Sequence, residues 1–258
     1  FQGRAQLEAN IAAVLELLDV PFTGNSSHTL ALCQDKYKTK AILNANGLPT
    51  ARARLLTQAE EVKDLRFPLF VKPNAEDASL GIHAESVVAD QAGLLRQVDR
   101  LLRTYQQPVL VEEFIDGREF NVAVMENHEI QALPVSEIDF SGMPASAPRI
   151  CSYEAKWFED HEYYTHTVPI CPAKIPDGTR DKLQAAAIGA FRATGCRDYA
   201  RVDFRMDKDG NPAILEVNPN PDISLNAGYA RALKAFGLDY KLFWHQLLDN
   251  ALRRKKAA

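Results

Sequence analysis

Two short stretches late in the chain carry acidic and amide side chains at spacings that suit a divalent cation. In Asp198-Tyr199-Ala200-Arg201-Val202-Asp203-Phe204-Arg205-Met206, the residues Ala200, Val202, Phe204 and Met206 share one face of an extended strand, and Arg201, Asp203 and Arg205 share the other. The return segment Ala213-Ile214-Leu215-Glu216-Val217-Asn218 puts Glu216 and Asn218 on a common face. Between them, Asp209-Gly210 reads as a two-residue hairpin turn that pairs Lys208 with Asn211. In that register Asp207 faces Pro212, where no N–H is needed, Asp203 faces Glu216 as a close pair, and Arg201 faces Asn218. Opposed carboxylates repel unless something neutralises them. An all-oxygen set of Asp, Glu and Asn suits Mg²⁺ that also holds phosphate oxygens. The competing reading is a solvated face on which Arg201 or Arg205 absorbs the charge.

A second group sits earlier. Lys72 ends the apolar run Phe67-Pro68-Leu69-Phe70-Val71 and leads into a polar loop of small residues, 74–82, that contains Ala78, Ser79 and Gly81. Such a loop lets backbone N–H groups approach a phosphate while the lysine supplies charge, although it lacks the GxxxxGK[ST] pattern of a Walker loop. The alternative is a snorkelling lysine before an ordinary surface loop. Glu112 and Glu119 flank Phe114-Ile115-Asp116-Gly117. One carboxylate there can accept from an amino group such as adenine N6, and another from ribose hydroxyls. Taken singly, these acids, Lys36 and Lys156 are ordinary surface residues.

The elements that must position these groups follow from periodicity. Leu7, Ile11, Val14, Leu15 and Leu18 recur at helical spacing up to Asp19-Val20-Pro21, and a second helix is predicted over 29–45, closed by Asn46-Gly47 with Pro49 beyond. Leu94, Leu95, Val98, Leu101 and Leu102 mark a further helix before the strand Val109-Leu110-Val111. From Glu119 the pattern alternates residue by residue and turns at Glu126-Asn127-His128, which predicts an antiparallel sheet. A helix over 178–195 precedes the hairpin. The chain reads as α+β without repeats, with a boundary near 112–117.

With 258 residues, 46% hydrophobic and 25% charged, the composition is that of a globular chain and excludes collagen-like, low-complexity and wholly disordered classes. A net charge of -4 offers no overall positive field for nucleic acid or an anionic membrane, and Arg253-Arg254-Lys255-Lys256 reads as a solubilising tail. The four cysteines, Cys33, Cys151, Cys171 and Cys196, form no CxxC pair and read as free thiols in a reducing cytoplasm. No secretory signal or transmembrane run is evident. The chain opens Phe1-Gln2-Gly3-Arg4 without an initiator Met, as a fragment or processed chain would.

Taken in order, these segments resemble the ATP-grasp superfamily and, within it, the D-alanine:D-alanine ligases. The resemblance runs through Leu18-Asp19-Val20-Pro21-Phe22-Thr23-Gly24, Asp35-Lys36, Asn46-Gly47-Leu48-Pro49, Val71-Lys72-Pro73, the stretch 112–120, Tyr153-Glu154-Ala155-Lys156, Arg201-Val202-Asp203 and Glu216-Val217-Asn218. It implies two α+β subdomains clamping ATP: residues 1–28 end an N-terminal domain, 29–112 form the central subdomain with the phosphate-binding lid, and 113–258 form the C-terminal subdomain with the metal site. It also implies roles. Lys36 and Lys72 hold ATP phosphates under a lid that includes Ser79, while Glu112 and the backbone around Phe114 and Ile115 hold adenine and Glu119 the ribose. Asp203, Glu216 and Asn218 coordinate two Mg²⁺ ions (or Mn²⁺), with Glu216 bridging. Lys156 contacts the γ-phosphate, and Arg201 the reacting carboxylate or the tetrahedral intermediate. The implied chemistry is ATP-dependent activation of a carboxylate to an acylphosphate, then attack by an amine to give an amide. The implied setting is a cytoplasmic homodimer acting on small molecules in cell-wall biogenesis.

The departures from the family bear on substrate. Ala78-Ser79 stands where the lid of the family carries two serines, and Trp157 follows Lys156 where the family has tyrosine. Pro219-Asn220-Pro221-Asp222 and Ala227 replace a Thr-Ser-Pro-Gly run and a later serine, so that Asp222 puts a carboxylate where glycine is expected, able to pair with an amine-bearing substrate. The usual N-terminal region, with a glutamate that orients the first amino acid, is expected to be largely absent before Phe1. The leading expectation is therefore a ligase with altered amino-acid specificity. A true D-alanine:D-alanine ligase of peptidoglycan synthesis and a non-catalytic ATP-binding regulatory module are the alternatives.

Overall fold

The structure, a computed structural model, describes residues 7–257; the opening Phe1-Gln2-Gly3-Arg4 and the side chain of Lys256 lie outside the described residues. Three helices come first: α1 (Glu8–Leu17), α2 (Ser27–Gln34) and α3 (Lys36–Ala45). In α1 the inward face is not the expected stripe. Ala9 and Ala12 are buried, while Ile11, Val14 and Leu18 are exposed, because the small alanines allow the close approach to α2.

The single helix expected over 29–45 is two. Asp35 is extended (φ -80°, ψ 93°), and its carboxylate caps α3 by accepting from Lys38 N at 3.1 Å. The Asn74 side chain locks the break, donating to Asp35 Oδ1 and accepting from Tyr37 N, each at 2.9 Å. The break starts α3 at Lys36, with Lys40 one turn on along the same face.

An antiparallel four-stranded sheet follows, made of β1 (Ala53–Leu56), β2 (Leu69–Pro73), β3 (Val87–Val88) and β4 (Val109–Glu113) in the order β1-β4-β2-β3. Helix α4 (Gln91–Tyr105) lays Leu94, Val98 and Leu101 against Leu69, Val71, Val109 and Val111. Loop 74–82 leaves β2 and carries no regular element.

The second sheet holds β5 (Arg118–Asn127), β6 (Glu129–Ala132), β7 (Ser136–Asp139), β8 (Val168–Ile170), β9 (Tyr199–Met206) and β10 (Pro212–Asn218), ordered β10-β9-β5-β7-β8 with β6 beside β5. Short helices α5 (Tyr153–Trp157) and α6 (Glu162–Thr165) lie between β7 and β8, and α7 (Asp177–Ala193), α8 (Gly228–Phe236) and α9 (Tyr240–Ala257) complete the fold. Phe120, Val122, Val202 and Phe204 meet Leu183, Ala187, Ala190 and Phe191 of α7 in the main core. Each such buried aromatic contributes roughly 1.5–3 kcal/mol. On the opposite face, Ala123, Met125 and Tyr199 lie under α8 and α9, against Tyr229, Leu233, Phe243 and Leu247. The same face continues past these helices through Asn121, Glu119, Arg201, Asp203 and Arg205, and there it lines a cleft.

The hairpin departs from its expected register near the turn. Met206 pairs with Pro212 and Phe204 with Ile214, one residue out of step, and the loop spans 207–211, where the Asp207 carboxylate accepts from Asp209 N and Asn211 N at 2.9 and 2.8 Å. A bulge between Ile214 and Glu216 then restores the expected pairs, Glu216 with Asp203 and Asn218 with Arg201. The bulge lets Ile214 and Val217 both enter the core, three residues apart, while Leu215 and Glu216 both reach the cleft.

The basic tail is likewise more than a solubilising segment. The Arg254 guanidinium donates to both oxygens of the fully buried Asp198, at 2.6 and 2.9 Å, and to the Phe22 carbonyl at 2.9 Å, fastening α9 to the start of the fold.

Candidate functional site

A cleft of about 1090 Å³ opens between the two sheets. Every residue expected at the site lines it except Trp157, which stands outside against the lid. The four-stranded sheet supplies Lys72 from β2 and Glu112 from β4, adjacent strands whose residues lie side by side. Glu112 is buried between two ammonium groups, Lys72 Nζ at 2.8 Å and Lys40 Nζ at 2.7 Å. Burial alone would raise its carboxyl, but the two lysines outweigh burial and hold it at about 2. The ammonium of Lys40 is pushed down by burial and by Lys72 against the pull of Glu112.

This corner fits an adenine. Each Glu112 oxygen meets one ammonium, Oε1 that of Lys72 and Oε2 that of Lys40, and a carboxylate oxygen keeps a second lone pair for an amino donor. The N–H of Phe114 is taken by the Pro68 carbonyl at 3.0 Å, whereas that of Ile115 has no acceptor among the described residues. Ile115, rather than Phe114, is therefore the backbone donor on offer. Phe70 and Phe114 stack with centroids 6.1 Å apart and give the corner an apolar wall.

The hairpin end is polar and strongly coupled. Arg201 holds Asp203 in a two-point bond, both contacts at 2.7 Å, and Lys36 Nζ lies 3.7 Å from Glu216 Oε2. Burial pushes the Glu216 carboxyl up, but Lys36, Lys72, Arg201 and Lys156 together bring it below its ordinary value. Lys36 is raised despite burial, because Glu216 and Asp77 face it. Among the described residues no three His, Cys, Asp or Glu side chains come together as a metal cluster, since the set has two carboxylates and one amide. Asn218 Oδ1 accepts from Asn220 N at 3.0 Å and keeps a second lone pair for a ligand. Asp203, Glu216 and Asn218 thus fit a hard cation that shares its shell with phosphate oxygens, and Lys36 and Arg201 pair with the two carboxylates.

Loop 74–82 closes over this end. Ala78, Ser79 and Gly81 all have positive φ, at 56°, 62° and 78°, and Gly81 sits so near Pro73 that a Cβ would stand 2.8 Å from its Cγ. Three bonds hold the loop to the α5 region, Ser79 Oγ to the Cys151 carbonyl at 2.9 Å, Tyr153 N to the Ile82 carbonyl at 2.8 Å and Trp157 Nε1 to the Ala78 carbonyl at 3.0 Å, and just beyond it His83 meets Glu154 at 2.5 Å. Lys36 Nζ reaches the loop too, through the Glu76 carbonyl at 2.5 Å and Asp77 at 3.3 Å. Lys156 is exposed at the rim. Asp222 lines the far end, its carboxyl lowered by the backbone N–H and hydroxyl of Ser224.

Sequence reasoning missed three contributors. Lys40 was signalled by its place one helical turn after Lys36. Asn121, opposite Asp203, was signalled by alternation on β5. Arg205 was seen on the cleft face but read only as a possible neutraliser of the hairpin. Its partner is Glu119, with Nε 3.6 Å from Oε2.

Residues 41–249 match the family model described as D-ala D-ala ligase C-terminus. An uncharacterized protein, y4sG, from Sinorhizobium fredii is 36% identical over 95% of this chain and 70% of its own length. A D-alanine–D-alanine ligase from Pelotomaculum thermopropionicum is 32% identical over 98% of this chain and 78% of its own. The crystal structure of a D-alanine–D-alanine ligase from Bacillus anthracis complexed with ATP superposes with a TM-score of 0.76 at 25% identity, covering 96% of this chain and 75% of that one.

Proposed function

Because the chain belongs to the D-alanine–D-alanine ligase C-terminus family, with the ATP-grasp fold, we propose from that premise how its cleft works as an ATP-dependent carboxylate–amine ligase. The observation that carries the reading is the facing of two charge systems across one cleft: Lys72 with Glu112 on one sheet, and Asp203, Glu216 and Asn218 on the other. Glu112 accepts from the adenine amino group, the Ile115 N–H donates to a ring nitrogen, and Glu119 receives the ribose. Lys72, Lys36 and Lys156 line the phosphate path. Divalent cations held by Asp203, Glu216 and Asn218 would offset the charge of the phosphate oxygens.

The chemistry then follows from charge. A carboxylate oxygen attacks the γ-phosphorus, ADP leaves, and the resulting acylphosphate is attacked by a neutral amine, with phosphate as leaving group. Arg201, fixed by Asp203, faces the carbonyl oxygen on which negative charge grows in that second step. The closed loop 74–82 keeps water from the acylphosphate.

On substrate, we assign an amino acid or related acid and a small amine, with specificity altered from D-alanine. Ala78 and Ala227 carry no hydroxyl, and Asp222 adds a carboxylate at the far end. A true D-alanine–D-alanine ligase is the second reading, favoured by the names of relatives 32–34% identical. The proposed setting is the cytoplasm, consistent with four free thiols; among the described residues no helix is long and apolar enough to cross a membrane. The test is phosphate release from Mg-ATP with D-alanine alone, then with pooled D- and L-amino acids and small dipeptides, with products weighed by mass spectrometry. A dipeptide of D-alanine selects the second reading. Release with another pool supports the first, and silence with every pool despite tight ATP binding sinks both in favour of a binding module.

A further inference from the structure

Arg205 stands directly opposite Glu119 in the β9–β5 pairing. It points to the cleft two residues from Asp203, about 7 Å along the strand. Its guanidinium is nearly inaccessible, at 3% exposure, and yet it is poorly satisfied. One terminal nitrogen, Nη2, donates to the Arg149 carbonyl, and the group lies 4.9 Å from the centroid of the Phe114 ring, which holds it in place. Nε has no acceptor among the described residues, and the 3.6 Å to Glu119 Oε2 is too long for a hydrogen bond. Glu119 in turn accepts no hydrogen bond from any described residue.

A buried donor without an acceptor thus sits beside an acceptor without a donor, and their anchoring keeps them from satisfying each other. Buried guanidinium N–H groups are rarely left in that state without a ligand to fill it. The group that completes such a pair is one that donates and accepts at the same atom, a hydroxyl. A phosphate in the same place would be repelled by Glu119. We propose that Arg205 is a sugar-reading residue, its guanidinium donating to a ribose hydroxyl oxygen whose hydrogen is given to Glu119. The inference rests on the adenine-nucleotide reading of the cleft. It adds a second determinant of ribose recognition, and Arg205 is pinned there before any nucleotide binds.

The test is calorimetric titration of the full chain, in Mg²⁺, with the non-hydrolysable β,γ-imido analogue of ATP and with its 2′-deoxy and 3′-deoxy forms. The wild type should bind one deoxy form about tenfold more weakly than the ribonucleotide, as expected for loss of one hydrogen bond to a charged group. Arg205→Met should weaken ribonucleotide binding by a similar factor and bring the ribo and deoxy forms within about twofold of each other. Arg205→Lys keeps a charge opposite Glu119 and serves where the methionine variant fails to fold; it should hold overall affinity better while discriminating less. Equal binding of all three analogues by the wild type, or discrimination that survives both substitutions, overturns the proposal while leaving the nucleotide reading intact. Absence of binding by any of the three to the wild type removes that reading and this one together.

Discussion

The indole N–H of Trp157, on α5, donates to the Ala78 carbonyl at 3.0 Å, joining the two positions at which the sequence resemblance expects tyrosine and serine. A side-chain-to-backbone bond does the closing, and it needs no hydroxyl at position 78. The clasp on the lid is thus independent of the side chain at position 78.

Trp157→Phe removes that donor and keeps the ring. Because the indole is 54% exposed, the bond contributes only about 1 kcal/mol. We expect KM for ATP to rise about threefold to tenfold with the melting temperature unchanged, and amide exchange in 78–82 to accelerate. An unchanged exchange rate there would remove the clasp from the account.

Glu216→Gln should weaken Mg²⁺-dependent nucleotide binding on the order of a hundredfold, as loss of a metal-site carboxylate does. The fold should survive, because Lys36 retains Asp77 at 3.3 Å and the Glu76 carbonyl. Calorimetry against circular dichroism separates the two effects. Unchanged affinity for Mg-ATP would discredit the hairpin as a metal site.

Arg201 competes with any cation for Asp203, since it holds both carboxylate oxygens at 2.7 Å. Arg201→Met should therefore tighten binding of Mn²⁺ in the absence of nucleotide, by about tenfold for removal of a charge-assisted pair, while ligation is lost. Paramagnetic titration with Mn²⁺ reads the first effect and phosphate release the second. Weaker binding of Mn²⁺ would mean that the guanidinium orients Asp203 for the metal rather than blocking it.

Much of this site was legible because chemistry-bearing residues sit on regular elements. Alternation alone put Glu216 and Asn218 together, and the hairpin turn put Asp203 opposite Glu216. That pairing was reached through two departures that cancel. The loop takes one residue more on one side than a two-residue turn allows, and the bulge at Leu215 returns it. No period in the sequence marks a bulge, which is fixed by the demand that Ile214 and Val217 both enter the core. The split at Asp35 was hidden for a similar reason, because the partner that stabilises it, Asn74, lies far along the chain. The place of Lys40 and the role of Arg205 were hidden because a buried cation becomes informative only once its carboxylate partner is known.

Glu112 links site and stability. Its folded carboxyl lies at about 2 against an ordinary 4.5, so its stabilising effect is complete above pH 4.5 and is lost as pH falls from 4.5 towards 2. Glu112→Gln leaves Lys40 and Lys72 buried without their counter-charge and should cost about 3–5 kcal/mol. Urea unfolding between pH 3 and pH 7 should show a shallower acid dependence in the variant than in the wild type. Parallel curves would assign the acid sensitivity to other carboxylates.

Gly117 packs tightly against the end of β9 just before β5 begins. It lies in the connection from β4 to β5, and a Cβ there would stand 1.8 Å from the Met206 carbonyl oxygen, a backbone atom at the end of β9 that cannot rotate away. Gly117→Ala must therefore move the connection or the strand. Overpacking of this kind costs about 1–3 kcal/mol or more. Because Glu112 and Glu119 flank the connection, the displacement should also weaken nucleotide binding. Gly178→Ala is the matched control: nothing lies within 4 Å of a Cβ there, on the second residue of α7, and the substitution should be neutral or stabilising by up to about 1 kcal/mol. Comparing the two variants by thermal melting and by nucleotide titration separates a general cost of alanine from the specific cost of crowding the connection against β9. Equal behaviour would show that the connection yields more readily than its contact with Met206 implies.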